Sequence, residues 1–187
     1  MKCFWKTISL AALALIVGAS FVGCSLNNRT ADATTQAMSK TAADATTVGT
    51  AVGNTAPDFQ LAQMDGSPVS LAALRGQPAV LVFWTAWCPV CKEEAPHFNE
   101  LAAKYEPKGV RVVGINIQDS LARTQSGIKD FGIRYAVARD ADASVARLYH
   151  VSGTPTVVFL DKRGVVSYFA NSLPDDYAQR LDSLAAE

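Results

Sequence analysis

Two cysteines three residues apart stand in Trp87-Cys88-Pro89-Val90-Cys91, directly after the apolar run Ala79-Val80-Leu81-Val82-Phe83-Trp84. At this spacing the thiols can close a small disulfide ring and reopen it, which is two-electron redox chemistry. The run ahead of them reads as a strand and the segment behind them as a helix, so Cys88 falls at a helix start. There the unpaired N–H groups aim at the sulfur and the helix dipole favours negative charge. Cys88 is therefore expected to hold a thiolate more easily than a free cysteine. Cys91, one turn inside the helix, is placed to attack a mixed disulfide formed on Cys88.

The remaining cysteines, Cys3 and Cys24, lie in or beside an N-terminal apolar segment, so the four do not form a disulfide framework. A single CxxC supplies half of a four-ligand zinc site. His97, six residues after Cys91, leaves a Cys/His metal module, such as a copper carrier, open as an alternative. Otherwise His97 and His150 read as ordinary helix residues. No metal and no separate cofactor are expected, the cysteine pair being itself the redox group. The 17 basic and 17 acidic residues balance, which gives no electrostatic footprint for nucleic acid.

The N-terminus reads as a targeting segment. Lys2 and Lys6 precede an apolar stretch from Ile8 to Val22, short for a membrane span and of the length of a signal h-region. Phe21-Val22-Gly23-Cys24 resembles a bacterial lipobox, with Phe21 where Leu is usual. The resemblance implies cleavage after residue 23, lipidation of Cys24 and a lipid anchor in the membrane. Ser25, in place of Asp, resembles the outer-membrane sorting pattern of Gram-negative cells. Residues 24–54 are rich in Ala and Thr with few large apolar side chains, so they cannot offset their ordering entropy by burial. They are expected to form a flexible tether with a reach of roughly 30 Å.

From residue 55 to 187 the pattern alternates between strands and helices. Phe59–Leu61 and Val69–Leu71 flank the turn signal Asp65-Gly66 and read as a hairpin. Ala79–Trp84 is continuously apolar, as a strand covered on both faces should be. A helix is predicted from Pro89 to Tyr105, with Ala95, Phe98, Leu101, Ala102 and Tyr105 on one face and a kink at Pro96. Val110–Ile117 reads as the next strand, Ser120–Phe131 as a helix ended by Gly132, and Tyr135–Val137 as a short strand. Asp142 is the expected cap of a helix carrying Val145, Leu148 and Tyr149. Thr156–Leu160 and Val165–Phe169 form an antiparallel hairpin through Asp161-Lys162-Arg163-Gly164. Tyr177, Leu181 and Leu184 mark a terminal amphipathic helix. This is an α/β chain with a mixed central sheet.

Three features in order make the region from residue 55 onward resemble the thioredoxin fold, and within it the TlpA/ResA-like thiol–disulfide oxidoreductases. They are Trp87–Cys91 with Pro96 five residues on, Gly153-Thr154-Pro155-Thr156 before a strand, and Ala56-Pro57-Asp58-Phe59 through Leu74-Arg75-Gly76. The last resembles an N-terminal hairpin extension that this branch shares with peroxiredoxins. The resemblance implies a cis Pro155 that brings the Thr154 backbone beside Cys88, where an incoming chain can pair as a strand. Trp87 then serves as a surface platform at the sulfur, and Trp84 as core. Thioredoxin has a buried Asp six residues before its first cysteine, where this chain has Val82. The ResA-like branch instead has a Glu where Glu94 stands. A carboxylate there could take the proton that Cys91 loses on attack, and a buried one would raise the thiol pKa by repulsion. Asp119 is a second carboxylate candidate, read first as a loop or helix-cap residue.

The function implied is thiol–disulfide exchange with protein substrates outside the cytoplasm, in the direction of disulfide reduction, by a monomer. The resemblance further implies electrons from a membrane reductase of the DsbD/CcdA type and clients such as apocytochrome c. Thiol oxidation uses the same residues and is the alternative direction. Thr85-Ala86-Trp87-Cys88 also matches the TxxC part of a peroxiredoxin site, but Leu81 stands where that site has proline.

Overall fold

The computed structural model describes residues 47–187. The expected signal segment, Cys24 and the tether as far as residue 46 lie outside the described residues. The chain runs through β1 (Gln60–Gln63), β2 (Pro68–Ser70), α1 (Leu71–Leu74), β3 (Ala79–Trp84), α2 (Pro89–Tyr105), β4 (Arg111–Ile117) and α3 (Leu121–Phe131). It continues through β5 (Ala136–Asp140), α4 (Ser144–Leu148), β6 (Thr156–Leu160), β7 (Val166–Ala170) and α5 (Tyr177–Ala186).

All seven strands join one mixed sheet in the order β2-β1-β5-β4-β3-β6-β7. The centre is parallel, β3 with β4 and β4 with β5, while β6 runs antiparallel to β3 and β7. The β1–β2 hairpin pairs antiparallel to β5 and so lengthens the sheet at one edge. β3 is buried along its whole length, and its side chains alternate between two cores. Ala79, Leu81 and Phe83 pack with Leu71, Leu74, Val145 and Tyr149 under α1 and α4. Val80, Val82 and Trp84 pack with Phe98, Leu101, Tyr105 and Leu181 under α2 and α5. This is the thioredoxin-like fold, with helices on both faces and the hairpin extension, as the sequence predicts.

The helix boundaries follow local chemistry. Ser120 caps α3 by accepting the Arg123 N–H at 3.2 Å, and Gly132 ends it in the left-handed conformation at φ 63°. In α2 the five predicted core residues are all buried, and Asn99 joins them. The Asn99 Nδ2 donates to the Gly132 carbonyl and its Oδ1 accepts the Arg134 N–H, both at 2.8 Å, so α2 is fastened to the turn after α3. The helix is continuous through Pro96.

Four expectations are corrected. Residues 47–54, read as the end of the tether, fold onto the domain: the Gly53 N–H donates to the Val166 carbonyl at 2.8 Å and the Val166 N–H to the Asn54 carbonyl at 2.9 Å. The strand expected at Tyr135–Val137 begins one residue later and runs on to Asp140, because it pairs with β4 along its whole length. The anchor of α4 is Asp140 rather than Asp142. The buried Asp140 carboxylate accepts the N–H groups of Val145 at 3.3 Å and Ala146 at 2.8 Å, while Asp142 only closes a local turn to the Ser144 N–H. His150 lies beyond the end of α4, at φ 53°.

Candidate active site

The topology decides where chemistry can sit. β3, β4 and β5 are parallel, so the loops that leave their C-terminal ends emerge on one edge of the sheet. Those loops carry Thr85–Cys88, Gln118–Ser120 and Ala141–Ala143. β6 is antiparallel to β3, so the segment entering it, Gly153-Thr154-Pro155, arrives at the same edge.

Cys88 and Cys91 form a disulfide, with Cα atoms 5.2 Å apart. Cys88 is the N-cap of α2 and its Sγ accepts the Cys91 N–H at 3.0 Å. Pro89 follows in the first turn, where its missing N–H costs no hydrogen bond. The Cys88 Sγ also lies 3.3 Å from the Thr154 carbonyl oxygen, and the Thr154–Pro155 peptide is cis. The two cysteines are only 4% and 5% exposed, whereas neighbouring Trp87 is 68% exposed. The first sulfur is thus buried, next in sequence to a projecting aromatic residue and faced by the Thr154 carbonyl. A thiolate at Cys88 is favoured by the amide donor and the helix start. It is opposed by burial and by the carbonyl lone pairs.

The buried carboxylate of this site is Asp119, 5% exposed. Its Oδ2 accepts the Ala86 N–H at 2.7 Å and the Asn116 Nδ2–H at 2.9 Å. Asn116 in turn accepts the Thr124 hydroxyl at 2.7 Å, which ties the loop to α3. Asp119 is therefore the anchor of the segment that delivers Trp87 and Cys88, the loop role named first for it. The same segment is wedged against α3: a Cβ added at Gly127 would lie 2.7 Å from the Ala86 Cβ and 2.9 Å from the Trp84 Cζ3. Gly127→Ala is expected to destabilise the protein by about 1–3 kcal/mol through overpacking, read as a lowered Tm, with a loss of exchange activity as Ala86 shifts.

Of the residues named from sequence, Cys88, Cys91, Trp87, Thr154 and Pro155 come together at this edge. Glu94 does not become a buried carboxylate. Its side chain is 33% exposed, and its Oε2 lies 3.2 Å from the Nδ1 of His97, one turn along the exposed face of α2. His97 thus pairs with Glu94 and not with the cysteines. Among the described residues no group of three or more His, Cys, Asp or Glu side chains gathers to hold a metal ion. No helix among them is long and apolar enough to cross a membrane. Sequence reading missed Asn116 and Asp140. Both are polar residues inside or ending an otherwise apolar strand, which was the signal available.

Comparison with known proteins agrees with this geometry. Residues 52–169 match the AhpC/TSA family. The thiol–disulfide oxidoreductase ResA of Geobacillus thermodenitrificans is 32% identical over 136 residues, covering 72% of this chain and 78% of the relative. Among solved structures, a secreted Mycobacterium tuberculosis disulfide oxidoreductase homologous to E. coli DsbE aligns with a TM-score of 0.57 and 32% identity. That alignment covers 69% of this chain and 96% of the other. A thiol:disulfide interchange protein of the thioredoxin family from Chlorobium tepidum gives 0.61 and 27%, over 70% and 94% of the two chains. With a disulfide-forming CxxC at the head of α2, a cis-proline loop against its first sulfur and relatives of this kind, the chain belongs to the AhpC/TSA family and, within it, to the ResA-like thiol–disulfide oxidoreductases of thioredoxin fold.

Proposed function

We propose that this protein reduces disulfides in polypeptide substrates on the outer side of the cytoplasmic membrane. The observation that carries the reading is the setting of Cys88: an N-capping sulfur beside the Thr154 carbonyl, preceded in the chain by an exposed Trp87. The Cys88 thiolate attacks one sulfur of a substrate disulfide, whose S–S bond breaks as a mixed disulfide forms and a substrate thiolate leaves, taking a proton from water. Cys91 then gives up its proton and attacks the Cys88 Sγ. The second substrate thiol is released, two electrons have passed to the substrate, and Cys88–Cys91 is left oxidised. Trp87, Thr154 and Pro155 are the substrate-binding residues of this scheme, with Thr154 offering backbone to an extended chain. Glu94, one turn beyond Cys91 and paired with His97, is the surface acceptor for the Cys91 proton.

The reducing direction is our reading of the charge balance at the sulfur. A strongly oxidising pair is one whose reduced form is stabilised, chiefly as the thiolate. Here burial and a carbonyl oxygen at 3.3 Å work against that charge, and we weigh them above the Cys91 N–H and the helix start, which favour it. The couple is regenerated by a membrane thiol reductase of the DsbD/CcdA type, and apocytochrome c before haem attachment is a client of fitting chemistry. Lys2, Lys6 and Phe21-Val22-Gly23-Cys24 support a lipoprotein anchored through Cys24, acting as a monomer in the cell envelope.

Thiol trapping in intact cells tests the direction and the place together. The Cys88/Cys91 pair is expected to be trapped mainly reduced, and to become oxidised when the membrane thiol reductase is removed. Cys24→Ser is expected to lose the acyl mass and leave the membrane fraction. A pair trapped oxidised in wild-type cells, or a membrane-bound Cys24→Ser variant, would contradict the proposal.

A further inference from the structure

An open groove of about 420 Å³ runs beside Cys88, its lining including Thr85, Trp87, Gln118, Ala143, Arg147 and Thr154. Among the described residues three that are not glycine have left-handed backbone: Gln118 at φ 56°, Ala143 at 58° and His150 at 53°. Two of the three belong to this wall. Gln118 and Ala143 line the groove, and His150 precedes Val151, which also lines it. The first two share one acceptor, since the carbonyl of buried Asp140 takes the Gln118 N–H at 2.9 Å and the Ala143 N–H at 3.2 Å.

Left-handed backbone is costly for any residue with a Cβ and free for glycine. Such strain is retained where a side chain is needed in a particular place. At Gln118 the backbone gains the Asp140 hydrogen bond, but the fold makes no use of the side chain. The side chain is exposed, and its carboxamide has no hydrogen-bond partner among the described residues. A second observation points the same way. The Thr85 hydroxyl, on a residue 4% exposed, is buried on this groove without a protein partner. Arg147, by contrast, is already engaged, its Nη1 donating to the Asp142 carbonyl at 2.7 Å.

We propose that Gln118 is a substrate-positioning residue, whose carboxamide hydrogen-bonds the main chain of a polypeptide lying in the groove with its disulfide at Cys88. A carboxamide offers one acceptor and two donors, the complement of a peptide unit. The inference rests on the reading that the substrate is a polypeptide, and it adds that Gln118 favours polypeptide over small disulfides.

The test compares full-length wild type, Gln118→Gly and Gln118→Ala in the reduction of insulin and of oxidised glutathione, with Tm and midpoint potential measured on each. Alanine keeps the backbone strain and removes the amide, while glycine removes both. Each variant is expected to lose about three- to tenfold in kcat/KM on insulin, through KM, as for one lost hydrogen bond. The ratio of insulin to glutathione activity falls with it, and Gln118→Gly gains Tm. An unchanged ratio in both variants would overturn the proposal. So would equal losses on both substrates with a shifted midpoint potential, which would show that Gln118 acts through the cysteines. A wild type that reduces oxidised glutathione as well as insulin would instead overturn the polypeptide reading itself.

Discussion

Cys88→Ser is expected to abolish disulfide reduction, lowering turnover by about three orders of magnitude or more, as loss of a nucleophile does. Cys91→Ser is expected to fail differently. Its Cys88 can still attack, but a serine hydroxyl does not resolve the resulting mixed disulfide, so a covalent Cys88–substrate adduct accumulates. Non-reducing electrophoresis and intact mass distinguish the two outcomes. The asymmetry follows from position, since both sulfurs are equally buried: Cys88 caps α2 beside the Thr154 carbonyl and next in sequence to exposed Trp87, while Cys91 lies one turn inside the helix. Adducts on Cys91 in a Cys88→Ser variant would reverse the assignment. The same Cys91→Ser protein also judges the peroxidase alternative, since rapid consumption of hydrogen peroxide by it would favour that chemistry.

The second large effect is at Asp119. Asp119→Ala leaves the Ala86 N–H and the Asn116 amide, both now held by Oδ2, without their acceptor. One buried and one part-buried donor left unpaired cost about 2–4 kcal/mol. In a domain of this size that is a fall in Tm of roughly 5–15 °C. Because the Ala86 anchor sets the path of Trp87 and Cys88, kcat/KM on insulin is expected to fall at least about tenfold. Asp119→Asn separates position from charge. Its side-chain carbonyl can accept both bonds, so it is expected to recover most of the Tm and the activity. An Asn variant as impaired as the Ala variant would show that the negative charge, and not the hydrogen bonds, is what the site uses.

The parts of this molecule legible in its sequence are those where one physical rule acts along the chain. Ala79–Trp84 is buried on both faces and therefore uniformly apolar, and α2 shows its buried stripe at helical spacing. Gly132 ends α3 because the left-handed conformation suits glycine. What stayed hidden depends on partners distant in sequence. Residues 47–54 have the composition of a tether, but backbone hydrogen bonds to the β6–β7 hairpin hold them, and backbone groups carry no compositional signal. Asp142 is the cap that the local sequence suggests. Only the sheet, by fixing where β5 ends, gives the role to Asp140.

The active site divides along the same line. Cys88 and Cys91 are readable from their spacing, and Trp87 and the Thr154-Pro155 loop from their resemblance to the family's motifs. Glu94 is named by its place in the family pattern, and that pattern does not say that its carboxylate faces His97 across an exposed turn. Asp119 could be flagged only as a carboxylate after a strand. Its importance comes from the loop that crosses over it, 33 residues earlier in the chain.

The central claim, that the Cys88/Cys91 couple is poised to donate electrons, is tested most directly by its midpoint potential, measured by equilibration with glutathione or dithiothreitol buffers. The account predicts a value near or below the ~−270 mV of thioredoxin. A value near the ~−120 mV of DsbA would contradict it, because the reduced pair would then be the stabilised form and the protein an oxidant of substrate thiols.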